Sequence, residues 1–232
     1  MGRVCPRPRH RARPLNSIVS QQPMTPSHIK IITAAAKRHL SPLGLVQRGR
    51  SRAWVDDQRW YITVVEFQPS SYGAGSFLNV GAQFLWHASG SIEFHWGHRI
   101  EEFREYVNDQ QFAAAAEELA SSARSEVERI RMQLTSTSVV SDLLPVNDGS
   151  LVTSFNHAVS RILRGDVAYG RMQLSRVCRH CAGDAKDPLG LQAASLLSRV
   201  RDAAAFKAAV HELIRMQRKL LKLAECEVTV AG

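Results

Sequence analysis

Apolar positions in the first half of the chain change their spacing several times, and each change marks an element. Ile29, Ile32, Ala36 and Leu40 recur at helical spacing behind Ser27, a residue suited to capping a helix, so 27–40 is predicted helical. Pro42 and Gly44 end that pattern. Four segments of β character follow: Leu45–Val55, Arg59–Phe67, Phe77–Trp86 and Ile92–Arg99. Asp56-Asp57-Gln58 reads as the hairpin turn between the first two, and Ser89-Gly90 as the turn between the last two. Connections this short, between segments taken in sequence order, predict an antiparallel meander of four strands.

Period two divides the predicted sheet into unlike faces. Leu78, Val80, Ala82, Phe84 and Trp86 form an apolar face, and Phe77, Asn79, Gly81, Gln83 and His87 alternate with them. From Asn108 to about Leu134 the period returns to 3.6, with Phe112, Ala115, Ala116, Leu119, Ala123, Val127 and Ile130 on one stripe. That long helix is the expected cover for the apolar face. A Ser/Thr-rich stretch with Pro145 and Asn147-Asp148-Gly149 then suggests a linker over 135–150. Beyond it the pattern is helical, over about 151–164, 167–182, 189–201 and 203–225, broken into two helical hairpins. The predicted fold class is therefore α+β. Its domains are a basic arm (1–26), an α+β domain (27–134), the linker, and a helical hairpin region (151–232).

The 232 residues carry a net charge of +9, but the excess is unevenly placed. Residues 1–26 hold five arginines and no acid; they also hold five of the nine prolines and no periodic apolar pattern, which predicts a disordered arm. Met24 offers a second reading, in which the residues before it arise from a mis-assigned start. Residues 27–133 balance at 12 basic and 12 acidic side chains, and the remainder carries 13 basic against 9 acidic. The basicity is thus a weak argument for nucleic acid. No stretch nears the roughly 20 apolar residues of a membrane span, and the arm lacks the apolar core of a secretory signal. Four cysteines give no disulfide framework, which points to a reducing cytoplasm.

Gly44-Leu-Val-Gln-Arg-Gly-Arg-Ser-Arg52, Val65-Glu-Phe-Gln-Pro-Ser70, Phe77-Leu-Asn-Val-Gly81 and Phe84-Leu-Trp86 carry a resemblance. Over residues 28–133 the chain resembles an uncharacterised bacterial family of domains of unknown function, with a G-F-x-x-K-G-R opening strand and an N-x-G strand. At 45–48 this chain has Leu-Val-Gln-Arg, without the family's Phe and Lys. The resemblance implies an α+β fold and a bacterial source, and it brings no catalytic residues.

The chemistry-bearing positions are few. Serine-hydrolase elbows, phosphate-binding loops and H-E-x-x-H are all missing from the sequence, so no catalytic residues are assigned. Cys178 and Cys181 have zinc-ligand spacing but lack a second pair, and they fall on an apolar helical stripe with Gly170, Leu174 and Val177. They are read as core, with metal as the weaker alternative and no cofactor expected. His95 and His98, near Glu101 and Glu102, would point to opposite faces of a strand and could not share an ion. Glu66, Asn79, Gln83, His95 and Arg99, with Trp60 or Tyr61 at the rim, are the ligand-binding candidates on the polar sheet face. Arg215, Arg218 and Lys222 form a basic stripe on the last helix, together with His211. The leading expectation is a non-enzymatic cytoplasmic protein-interaction module. The alternatives are a nucleic-acid-associated protein using arm and stripe, binding nucleic acid weakly and non-specifically, and a small enzyme on the polar sheet face.

Overall fold

The computed structural model describes residues 27–145 and 148–228, so the expected arm lies outside the described residues. Helix α1 (Ser27–Leu40) buries Ile32, Ala35, Ala36 and Leu40. A 3-10 turn at Ser41–Leu43 stops it, and Gly44 takes the left-handed conformation (φ 88°) with its N–H bonded to the Ser41 carbonyl. The chain then builds one antiparallel sheet from β1 (Val46–Gln47), β2 (Ala53–Asp57), β3 (Tyr61–Gln68), β4 (Gly75–Phe84) and β5 (Trp96–Glu105), in that spatial order.

The meander therefore has five strands, not four. The expected first strand folds back on itself at Arg48–Arg52, with Gly49 at φ 57°, so that Val46 pairs with Val55 and Gln47 with Trp54. The last strand begins at Trp96 rather than Ile92, and Leu85–His95 forms a loop off the end of β4 and β5. Strand β5 is an edge strand without a single fully buried residue, and two register shifts against β4 interrupt its pairing. Charge and bulges of this kind discourage further strand addition.

Asp56 and Asp57 are the last residues of β2 rather than turn residues. Adjacent strand positions face opposite sides of a sheet, and the two carboxylates use that. Asp56 receives Arg131, from Nε at 2.9 Å and Nη2 at 2.7 Å. Arg131 lies on α2 (Asp109–Gln133), which covers one face with Phe112, Ala116, Leu119, Ala123, Val127 and Ile130. Asp57 instead receives Arg218 of the last helix, on the other side, through two bonds of 2.7 Å.

The expected linker is docked. Its 3-10 turn Thr137–Val139 and helix α3 (Val140–Leu143) bury Thr137, Val140 and Ser141. Ser160 donates to the Thr137 carbonyl (2.8 Å) and accepts from the Ser141 N–H (3.0 Å). Helices α4 (Leu151–Leu163), α5 (Val167–Cys181), α6 (Pro188–Leu197) and α7 (Ala203–Leu220) follow. Ser150, Asp166, Asp187 and Asp202 each cap one by accepting backbone N–H bonds in its first turn. Helix α7 stops before the expected 225 because Lys222 turns left-handed (φ 54°) and the Leu223 N–H returns to the Arg218 carbonyl. One continuous hydrophobic cluster runs from Ile32 through the sheet to Leu221, so sheet and helices share a core. Among the described residues no helix is long and apolar enough to cross a membrane.

Candidate functional site

The expected polar groove divides in two. Register places Glu66 opposite Asn79 and Asn79 opposite Arg99, so these three do come together. The Asn79 amide donates to Glu66 (3.0 Å) and Gln68 (2.9 Å), while Arg99 donates to Asn79 (3.3 Å) and Gln68 (3.0 Å). The Arg99 guanidinium also lies 4.0 Å above the Phe77 ring. Anion, cation and amides thus satisfy one another on an exposed end of the sheet.

Gln83 and His95 do not join them. Gln83 is buried and holds the loop, donating to the Ser91 carbonyl (2.8 Å) and accepting from the Glu93 N–H (3.2 Å). Trp60 and Tyr61 are not at a rim: both are buried, Trp60 lies parallel to Phe84 and Trp86, and burial pushes the Tyr61 hydroxyl up to about 12. His98 is exposed on β5, apart from the buried His95.

His95 belongs instead to a cluster in the loop Leu85–His95. Three buried amides clamp that loop from the helical side. Asn156 of α4 accepts from the Trp86 indole N–H (2.8 Å), and Gln192 of α6 pairs with both backbone groups of Ala88 (3.0 Å each). Gln217 of α7 accepts from the Gly90 N–H (2.9 Å) and donates to the Ser91 carbonyl (3.2 Å). Inside the clamp, His87 Nδ1, His95 Nε2 and Glu93 Oε2 converge. His95 lies 3.2 Å from Glu93 and 3.3 Å from His87, and His87 lies 3.4 Å from Glu93. The Phe84 N–H donates to His95 Nδ1 at 3.0 Å, which leaves that ring's proton on Nε2, facing Glu93.

The hydrogen bond with His95 holds the Glu93 carboxyl down at about 2, and burial with the neighbouring His95 lowers His87 to about 4. At neutral pH the cluster is one carboxylate with a neutral His87 beside it. Strand periodicity sets His95 and His98 on opposite faces of one strand; His95 lies instead in the loop, and the sequence trace of its cluster is His87-x5-Glu93-x-His95.

The basic stripe is also divided. Arg215 and Lys222 are exposed, whereas Arg218 is buried, its side chain 6% accessible. Besides Asp57, Arg218 reaches the carbonyls of Arg59 (2.8 Å) and Ala224 (2.6 Å), so it is a structural tie and not a free cation. Arg215, Lys219 and Lys222 line a groove of about 570 Å³ between the end of α7 and the segment Leu223–Cys226. Cys181 is buried and Cys178 half-buried on α5; neither is in a disulfide, and burial raises both thiols. No family model, no curated protein and no solved structure matches this chain.

Proposed function

We propose that the protein is a bacterial, cytoplasmic, non-enzymatic interaction module that takes an acidic segment of a partner protein in the groove at the end of α7. The groove itself carries the reading. Three exposed cations, Arg215, Lys219 and Lys222, surround it against a single carboxylate, Glu225. Cations at a helix C-terminus often serve only to balance its dipole and bond its last carbonyls. Here the carbonyls of Gln217, Arg218 and Lys219 accept the backbone N–H groups of Leu221, Leu223 and Lys222, and Arg48 bonds the Leu221 carbonyl (2.6 Å), so those carbonyls are met without the three cations. The polar sheet end, by contrast, is internally neutralised and offers no comparable unspent charge.

The test is fluorescence anisotropy of a labelled Asp/Glu-rich peptide and of a DNA oligonucleotide, against the full chain and a triple variant, Arg215→Gln, Lys219→Gln and Lys222→Gln. Arg218 is left alone because its loss would perturb the fold. Three rim charges should be worth roughly tenfold or more in peptide affinity, with melting unchanged. DNA binding that is tight, falls steeply with salt and disappears in the triple variant would favour the nucleic-acid alternative. Peptide binding indifferent to the three substitutions would remove the reading altogether.

A further inference from the structure

The loop cluster makes no use of that groove, and its geometry calls for its own explanation. His95 Nε2 lies 3.2 Å from Glu93 Oε2 and 3.3 Å from His87 Nδ1, and the last two lie 3.4 Å apart, a nearly equilateral triangle of possible ligand atoms. Zinc bonds nitrogen and carboxylate oxygen at about 2.05 Å, which sets the ligand-to-ligand edge of a tetrahedron at about 3.3 Å. An octahedral ion with the same bond length would need an edge of about 2.9 Å. The observed triangle fits the tetrahedron.

We propose that His87 Nδ1, Glu93 Oε2 and His95 Nε2 bind a zinc ion. Two histidines and one glutamate supply three of four positions, and the fourth is left for water or an oxygen ligand. Entry is from the Glu93 side, whose side chain is 32% accessible while that of His95 is 1%. The surroundings hold each ligand in place. The Ser91 hydroxyl donates to Glu93 Oε1 at 2.7 Å, which leaves Oε2 as the single coordinating oxygen. Gln83 fixes the backbone at Ser91 and Glu93, and Gln192 fixes it at Ala88, beside His87.

The Phe84 N–H holds His95 Nδ1 as an acceptor in the metal-free loop, so coordination through Nε2 moves the ring's one proton to Nδ1 and releases the Phe84 N–H, and the ring binds as the neutral imidazole.

The full chain, stripped with chelator and desalted, would be titrated with zinc against an indicator dye, and separately with cobalt. One equivalent of zinc is expected, with affinity reduced at least roughly tenfold in His87→Asn and in Glu93→Gln. Double replacement Cys178→Ala with Cys181→Ala should leave it unchanged. Cobalt should give the intense visible absorption of a four-coordinate site without a thiolate charge-transfer band, a readout on wild-type protein that needs no variant to fold. A stripped chain that takes up no zinc, a thiolate band, or uptake that survives both loop substitutions would each overturn the proposal. None of these outcomes bears on peptide binding at the α7 groove, so the two readings fail separately.

Discussion

Replacing Arg218 by methionine removes a cation that bridges α7 to the β2–β3 hairpin. The side chain makes four hydrogen bonds of 2.6–2.8 Å, two to Asp57 and one each to the carbonyls of Arg59 and Ala224. Methionine fills a similar volume, so the loss is electrostatic rather than a cavity. Deleting one partner of a buried pair costs about 3–5 kcal/mol, because the other charge is left uncompensated. The Asp57 side chain stays 30% accessible and recovers some hydration, which places the expected loss near the lower end, at about 3 kcal/mol. For a chain of this length that corresponds to a fall in Tm of about 6–12 °C.

Urea unfolding followed by circular dichroism would measure it, with Arg164→Gln as the comparison. Arg164 also forks onto a carboxylate, Asp142, at 2.8 and 2.9 Å, but both side chains are about half exposed. Its loss should cost less than about 1 kcal/mol. Adding Asp57→Asn to Arg218→Met should cost less than the sum of the single changes, by at least about 1.5 kcal/mol. If Arg218→Met cost no more than Arg164→Gln, or the pair proved additive, the reasoning from burial would be refuted.

Other consequences are equally direct. In chelator-treated protein, His87 titrates near 4 when folded against 6.5 when unfolded, so its stabilising effect is complete above pH 6.5 and drains away as pH falls toward 4. The full loss is about 3 kcal/mol, Glu93 adds to it between about 4.5 and 2, and His87→Gln should flatten the upper part of this limb in urea midpoints measured from pH 7 to 4.5. Gly81→Ala should cost more than about 2 kcal/mol in thermal melts, since a Cβ there would sit 2.4 Å from the Trp96 carbonyl oxygen and 3.3 Å from Gly97 Cα. Lys222→Gly should stabilise the chain by up to about 1 kcal/mol by relieving the left-handed backbone, while weakening the acidic peptide in the anisotropy assay.

Much of this fold could be read from neighbours in sequence. Helix α2 declares itself through Asn108, whose side chain accepts from the Gln111 N–H, and through a stripe of period 3.6. The helices beyond residue 150 start where Ser150, Asp166, Asp187 and Asp202 say they should. What periodicity could not reveal is which polar groups find partners far along the chain. Ile92–His95 alternates like a strand, yet the loop containing it is held off the sheet by Gln192 and Gln217, bonded to residues 104 to 127 positions away. Asp56-Asp57 has the composition of a turn, but its two carboxylates answer arginines 75 and 161 positions away.

Arg218 makes the same point within a single helix. It shares a stripe with Arg215 and Lys222, and a helical wheel assigns all three the same environment. Lys222 leaves that wheel by turning left-handed, and Arg218 is drawn under the hairpin by Asp57, so a uniform stripe becomes one buried tie and two cations on a groove. The loop histidines reverse that relation. His87 and His95 belong to no common stripe and no common strand, and they meet because the amides of three different helices hold their loop. A chemical site made this way has no period to detect. Its trace in the sequence is the presence of buried amides, Asn156, Gln192 and Gln217, on helix faces that core packing alone would fill with leucine.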